Sequence, residues 1–171
     1  MSDSLRDAIT YLLEKIPDKS VGLPEEIFYF VSQLTPLVNV DLLIKNDKGQ
    51  TLLTWREDSF YGPAWHIPGG VVRFKETFET RLHKVAENEL KASIGFNTAP
   101  LTVQQKFNSE RDIRGHFISI LFHCWLTSDP DPAMQSLADP VLNGQWRWHD
   151  GSPDNLLLVH ESFRPYIDGS A

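Results

Sequence analysis

Residues 65–96 read WHIPGGVVRFKETFETRLHKVAENELKASIGF. Pro68-Gly69-Gly70 permits a tight turn in which the backbone lies open to a ligand. The spacing after it predicts a helix over residues 77–92. Thr77 is placed as its N-cap, and Glu76 and Glu79 put negative charge where the helix dipole favours it. Phe78, Leu82, Val85, Ala86 and Leu90 recur at i+3/i+4 spacing as a buried stripe. Gly95 is a natural stop. Glu89 follows Val85 by four residues and so lies at the edge of that stripe. A carboxylate there costs free energy unless it is paired or bound to a metal. By spacing alone, an ordinary amphipathic helix with Glu89 paired to Lys or Arg is the better explanation of the pattern. Lys84 and Asn88 share a neighbouring face at i, i+4.

Upstream, LVNVDLLIKNDKGQTLLTWRE reads as a hairpin, with two apolar runs flanking a turn at Asn46, Asp47 and Gly49. Asp41 interrupts the first run, and a charge in that setting needs a partner. Arg56 stands at the end of the second, where a guanidinium either reaches a phosphate with its fork or pairs with Glu57 or Asp58. Before the hairpin, SLRDAITYLLEKI has helical spacing with Ser4 as its cap, and EEIFYFVSQL reads as a second short helix. Downstream, AWHIPGGVV is a short strand entering the glycine turn. LTVQQKFN and GHFISILFHCWLTS are strands, the latter long and central. QWRWHD is a short strand, and NLLLVHESFRPYI a closing helix. Strands and helices mix without regular βαβ alternation, which predicts an α+β or sandwich arrangement.

The chain has 171 residues, 41% of them hydrophobic, enough for one domain with a sizeable core. Its net charge of −7 argues against non-specific nucleic-acid binding, although local cations can still hold a phosphorylated small molecule. The lone Cys124 has no partner for an internal disulfide and reads as a small buried hydrophobe in a reducing compartment. No run approaches the ~20 apolar residues of a membrane span, and the N-terminus lacks a signal peptide's apolar core. A soluble, cytoplasmic protein is expected.

Gly70, Glu76, Lys84 and Glu89 follow the spacing of the Nudix box, Gx5Ex7REUxEExGU, where U is aliphatic, and WHIPGG resembles the usual lead-in. The match is degenerate. Lys84 stands for Arg, Val85 and Asn88 for the first two helix glutamates, and Lys91 for the glycine. This pattern most resembles the GDP-mannose mannosyl hydrolase branch, which also lacks the two earlier metal glutamates. Coverage runs from about Leu34 to Tyr166. The resemblance implies a Nudix-type α/β/α sandwich around a mixed β-sheet over residues 34–171, with residues 1–33 an N-terminal helical extension. It also implies a homodimer acting on a small nucleotide substrate; the charge and the lack of an apolar span add the expectation of neither nucleic acid nor membrane as partner.

For the site, the resemblance implies one Mg²⁺, or Mn²⁺ in its place, held by the Gly69 carbonyl and Glu89. Mg²⁺ commonly keeps waters and uses only one or two carboxylates plus substrate phosphates. Glu76 takes the role of a structural box glutamate. Arg56 matches an arginine on the diphosphate leaving group, and Asp41 an aspartate linked to catalysis or leaving-group binding. Lys84 matches the box arginine, while Arg73 lies two positions beyond an arginine of the branch. The branch's glutamine ligand and histidine base fall at Leu142 and Asn143, neither of which suits those tasks. His116 and His160 match histidines of the branch and are the candidate substitute bases, with His66 beside the box as a third. Packing or capping is the competing role for each. Tyr61, Trp65 and Phe117 are candidates for nucleobase contact, Phe117 standing where the branch has a tyrosine. The expected activity is hydrolysis of a nucleoside diphosphate sugar or a related derivative, at the sugar carbon or at phosphorus. The competing expectation is a domain that binds such a ligand without turnover, as sensor or regulator.

Overall fold

The computed structural model of the chain describes residues 3–171, so residues 1 and 2 of the expected extension lie outside the described residues. Helix α1 covers Asp3–Glu14 and α2 Glu25–Ser32. Strands β1 (Leu37–Ile44), β2 (Thr51–Arg56), β3 (Ala64–His66) and β4 (Gly69–Val71) lead to helix α3 (Phe78–Leu90). Strands β5 (Ile94–Phe96), β6 (Thr102–Phe107), β7 (His116–Leu126) and β8 (Trp146–His149) follow. A 3-10 helix, Leu158–Phe163, then runs into α4, Arg164–Ile167. The fold is mixed α+β, as the sequence predicts, and the closing segment is mostly 3-10 rather than one α-helix.

β1 and β2 are not a hairpin ladder. β1 pairs in parallel with β7 and antiparallel with β4, whereas β2 pairs with β3 and β8 in a second sheet. The turn between them is closed by an isolated Lys45–Thr51 bridge and by hydrogen bonds between Asn46 and Gln50, without a ladder beyond it. Both runs read as strands because their residues suit a pleated, half-buried surface. Their partners are set by packing that no local pattern carries. β7 is the central strand of the larger sheet, taking β1, β5 and β6 along its length.

Side-chain alternation then divides β1 and β7 between two cores. Val40, Leu42 and Ile44, with Ile120, Phe122 and Cys124, pack under the α3 stripe of Leu82, Val85, Ala86 and Leu90. Leu43 and Leu121 face the other way, towards Leu53, Trp65, Ile67, Phe163 and Ile167. Asp41 and Ser119 share the parity of Leu43 and Leu121, so they belong to this second face. That parity carries them into the site.

Several local expectations shift by a few residues. α1 begins at Asp3, so Ser4 lies inside the helix rather than at its cap. Thr77 caps α3 as read, its hydroxyl accepting the Thr80 amide at 3.1 Å. The helix ends at Lys91, which adopts the left-handed conformation (φ 54°), and Gly95 is a strand residue instead of the stop. Gly69 and Gly70 likewise form β4 rather than an open turn.

Candidate active site

A cavity of about 470 Å³ opens where β1, β2, β4, β7, the end of α3 and the C-terminal 3-10 helix converge. Its acidic centre is Glu89. One carboxylate oxygen accepts the Gly69 amide at 3.3 Å, and the other accepts the Thr54 hydroxyl at 3.2 Å and faces His66 Nε2 at 3.5 Å. His66 Nδ1 lies 2.8 Å from the Thr54 carbonyl, so that nitrogen carries its proton and donates. Glu89 thus meets none of the Lys or Arg partners that an ordinary amphipathic helix would offer it. Gly69 is obligatory here. A Cβ at that position would collide with the Asp41 carboxylate and crowd the Val40 carbonyl.

Asp41 is 1% exposed. Its carboxylate accepts the Ser119 hydroxyl and, at 2.8 Å, the Asn39 amide. Burial pushes its pKa up to about 6, against the pull of Ser119, Lys106 and Asn39. Lys106, on β6, is brought to the same face by its register opposite Phe117. Burial lowers its pKa to about 8, with Asp41 opposing. Its ammonium donates to the Val159 carbonyl at 2.5 Å and to Ser162 Oγ at 3.1 Å. The sequence offered no signal for Lys106 beyond its place in an alternating strand.

His160 sits in the 3-10 helix over Asp41. Its Nδ1 accepts the Ile67 amide at 3.0 Å, which leaves Nε2 to carry the proton. Nε2 faces Asp41 Oδ1 at 3.7 Å. Burial, then His66, Lys106 and Arg56, keep its pKa well below the usual histidine value. His160 is therefore a neutral donor beside Asp41, not a free proton acceptor.

The other residues singled out divide between the cavity and the scaffold. Arg56 and Phe117 line the cavity. Arg56 Nε is paired with Asp58 at 2.5 Å and its guanidinium lies over Tyr61, 4.7 Å from the ring centre. Tyr61 lines the cavity too, whereas Trp65 is 4% exposed and belongs to the second core. His116 has the opposite parity to Phe117 and Ser119, so it points away and lies 2.9 Å from Gln105 Nε2. Lys84 does not reach Glu89, and its ammonium pairs with Glu76 at 3.1 Å. Glu76 also receives the buried Arg81 guanidinium at 2.6 Å and the Arg73 amide at 3.0 Å, tying the glycine loop to α3. Burial opposes ionisation of Glu76, but these three donors hold its carboxyl below the usual range. The Arg73 guanidinium packs against Gly22, outside the cavity.

Val85 is buried against Gly70, filling with a methyl the place of the first helix glutamate. Asn88 lines the cavity. Leu142 is 62% exposed, and the Asn143 side-chain oxygen accepts the Glu57 amide at 2.9 Å. Among the described residues no three His, Cys, Asp or Glu side chains converge as a metal-binding group. The donor set fits Mg²⁺ held through one carboxylate and completed by waters and substrate oxygens, and it fits no closed protein cage. Each Glu89 oxygen keeps a lone pair beyond the hydrogen bonds it accepts.

Residues 35–163 match the family model described as NUDIX domain. The low-salt glycan biosynthesis protein Agl8 of Haloferax volcanii is 30% identical over 111 residues, covering 63% of this chain and 70% of that one. The MutT NUDIX hydrolase of Burkholderia pseudomallei superposes with a TM-score of 0.59 at 19% identity, over 80% of this chain and 98% of its own. The MutT protein of Methanosarcina mazei Go1 gives 0.58 at 20% identity, over 79% and 95%. These two structural likenesses bear on the fold. No helix among the described residues is long and apolar enough to cross a membrane.

Proposed function

The chain belongs to the Nudix hydrolase family, and on that premise we propose that it is a Mg²⁺-dependent hydrolase of a nucleoside diphosphate sugar. The observation that carries this reading is the single Glu89 carboxylate, fastened at the Gly69 amide in a cavity that also presents Arg56 and Lys106. With Asp41 buried on Ser119 and Asn39 and Asp58 paired to Arg56, one free carboxylate beside several cations suits a ligand that brings its own negative oxygens. Agl8, the relative named for glycan biosynthesis, supports the sugar half of the reading.

Glu89 and the Gly69 carbonyl would hold the metal. When bound, Mg²⁺ neutralises charge on the diphosphate. Arg56 lies at the cavity edge and adds a bidentate donor once it exchanges Asp58 for phosphate. Asp41 also lines the cavity and is the natural proton acceptor for water; Ser119 and Asn39 hold its orientation, and His160 Nε2–H faces it at 3.7 Å. Attack at the sugar carbon is favoured over attack at phosphorus, because stabilising a departing diphosphate asks less of the metal site than activating a nucleophile. Dimerisation and a cytoplasmic setting belong to this reading as well.

A second reading has its own observation. Asn143 is held by the Glu57 amide and Leu142 faces outward, so the loop that supplies ligand and base in the branch supplies neither here. The protein is then a nucleotide or nucleotide-sugar binder. Incubation with Mg²⁺ and a panel of nucleotide sugars and dinucleotides, with products identified by mass, separates the readings. Nucleoside diphosphate plus free sugar supports attack at carbon, and two monophosphates attack at phosphorus. Thermal stabilisation without turnover on any panel member supports the binder. Glu89→Gln is expected to lower Mg²⁺-supported turnover at least about a hundredfold. Undiminished turnover removes Glu89 from the metal site.

A further inference from the structure

The 108–115 connection from β6 to β7, NSERDIRG, carries Arg114 to the mouth of the cavity and Arg111 into the space adjoining it. Arg114 adopts φ 54°, a left-handed conformation that a non-glycine residue holds only when its surroundings impose it. Its amide donates to Ser32 Oγ of α2 at 3.1 Å, and its carbonyl accepts the Tyr61 hydroxyl at 3.4 Å. Its guanidinium is stacked among three rings, 5.0 Å from the centre of Phe60, 5.4 Å from Tyr61 and 5.7 Å from Phe28. Phe28 belongs to α2, and α2 is further anchored by Tyr29, 5.5 Å from Phe60.

The neighbouring arginines are already committed. Arg56 pairs with Asp58, and Arg111 donates to the Phe60 carbonyl at 2.6 Å. Arg114 has no carboxylate within salt-bridge reach among the described residues, and its buried Nε has no hydrogen-bond partner there. Burial, with Arg56 second, lowers its pKa. A half-buried guanidinium next to another cation, with Asp58 acting on it only at a distance and already paired to Arg56, is a costly arrangement, and an arriving anion relieves it. Arg114 also stands in the wall shared by the active-site cavity and an adjoining one of about 870 Å³.

We propose that Arg114 grips the substrate's phosphates at the junction of the two cavities, and that α2 holds it there through Ser32 and Phe28. This rests on reading the site as one for a phosphorylated small molecule. The diphosphate then lies between Glu89 and Arg114, with the rest of the ligand free to extend into the adjoining cavity. It also gives the N-terminal helical segment a task, that of bracing a binding residue contributed by another loop.

The test is calorimetric titration of inorganic pyrophosphate, of nucleoside diphosphates and of the matching uncharged nucleosides, with Mg²⁺, into wild type, Arg114→Gln, Arg114→Lys and Phe28→Ala. Arg114→Gln is expected to weaken pyrophosphate and nucleoside diphosphate binding by about ten- to a hundredfold, the worth of a charge-assisted fork, and to leave nucleoside binding unchanged. Arg114→Lys is expected to recover part of the loss, and Phe28→Ala to show a smaller loss of the same kind. Phosphate-ligand affinity unchanged in Arg114→Gln, or equal losses for charged and uncharged ligands, overturns the proposal. If Arg114→Gln does not fold, unchanged affinity in Arg114→Lys overturns it. Wild type that binds none of the charged probes overturns it as well. Wild type that binds pyrophosphate but hydrolyses no nucleotide sugar sinks the hydrolase reading and leaves Arg114 in place. Turnover with unchanged KM in Arg114→Gln does the reverse.

Discussion

Asp41 is a charge kept inside the protein at a cost to stability. Its pKa stands at about 6 against an ordinary 3.8, so the folded state holds the proton more tightly than the unfolded chain does. A raised carboxylate of this kind lowers stability as pH rises from about 4 to about 6, and the full cost persists above. Asp41→Asn is therefore expected to stabilise the metal-free protein by about 1–3 kcal/mol at pH 7, with the gain vanishing below about pH 4. Denaturant unfolding in EDTA across pH 4–8 measures it, and a gain that does not change with pH contradicts the assignment. The same variant is expected to lose turnover, which separates a functional charge from a structural one. An acid interrupting an apolar strand was legible in the sequence as needing a partner. Which partner was not, because Ser119 lies 78 residues away and meets Asp41 through strand parity. Arg114 was harder still to find, since an arginine in a polar loop gives no sign that three rings will close around it.

At the scale of the element, α3 shows how the helix that carries Glu89, the proposed metal ligand, is held still. The Glu76–Arg81 pair is buried, whereas Lys84 reaches the same carboxylate from solvent. Breaking a buried pair leaves an uncompensated charge, so Glu76→Gln is expected to cost about 3–5 kcal/mol. The exposed Lys84→Ala should cost no more than about 1 kcal/mol. Because the Glu76 pKa is held low, its contribution is present at neutral pH and is lost as pH falls through that lowered value. Chemical denaturation of the two variants at pH 7 checks the contrast, and comparable losses would mean that both pairs are equally exposed in solution. Thr77 and the Phe78–Leu90 stripe could be read directly, since capping and 3.6-residue periodicity are local. The end of the helix was misjudged because Lys91 takes the left-handed conformation that glycine was expected to supply.

Across the whole molecule, two cores lie on the opposite faces of the β1–β7 pair, and the site lies where the sheet edges, α3 and the C-terminal helices meet. No metal cluster organises either core among the described residues, so EDTA alone is expected to shift the thermal midpoint by less than about a degree. Mg²⁺ together with a bound nucleoside diphosphate at 100 times its Kd should add about 2.7 kcal/mol of stability. That corresponds to a rise in midpoint of roughly 5–10 °C for a chain of this size. Glu89→Gln should retain only the metal-independent part of that rise. A large drop in midpoint on chelation alone would reveal a structural metal. By itself the sequence determined most of the helices and strands, the box spacing and the lone carboxylate, Glu89, at its last glutamate position, because each is written in residues a few positions apart. The tertiary structure alone decided that β1 and β2 part company, that His116 turns away while Asp41, Lys106 and His160 converge, and that α2 reaches Arg114. Those outcomes depend on which strand lies beside which, and strand pairing and burial are settled by the packing of the whole chain.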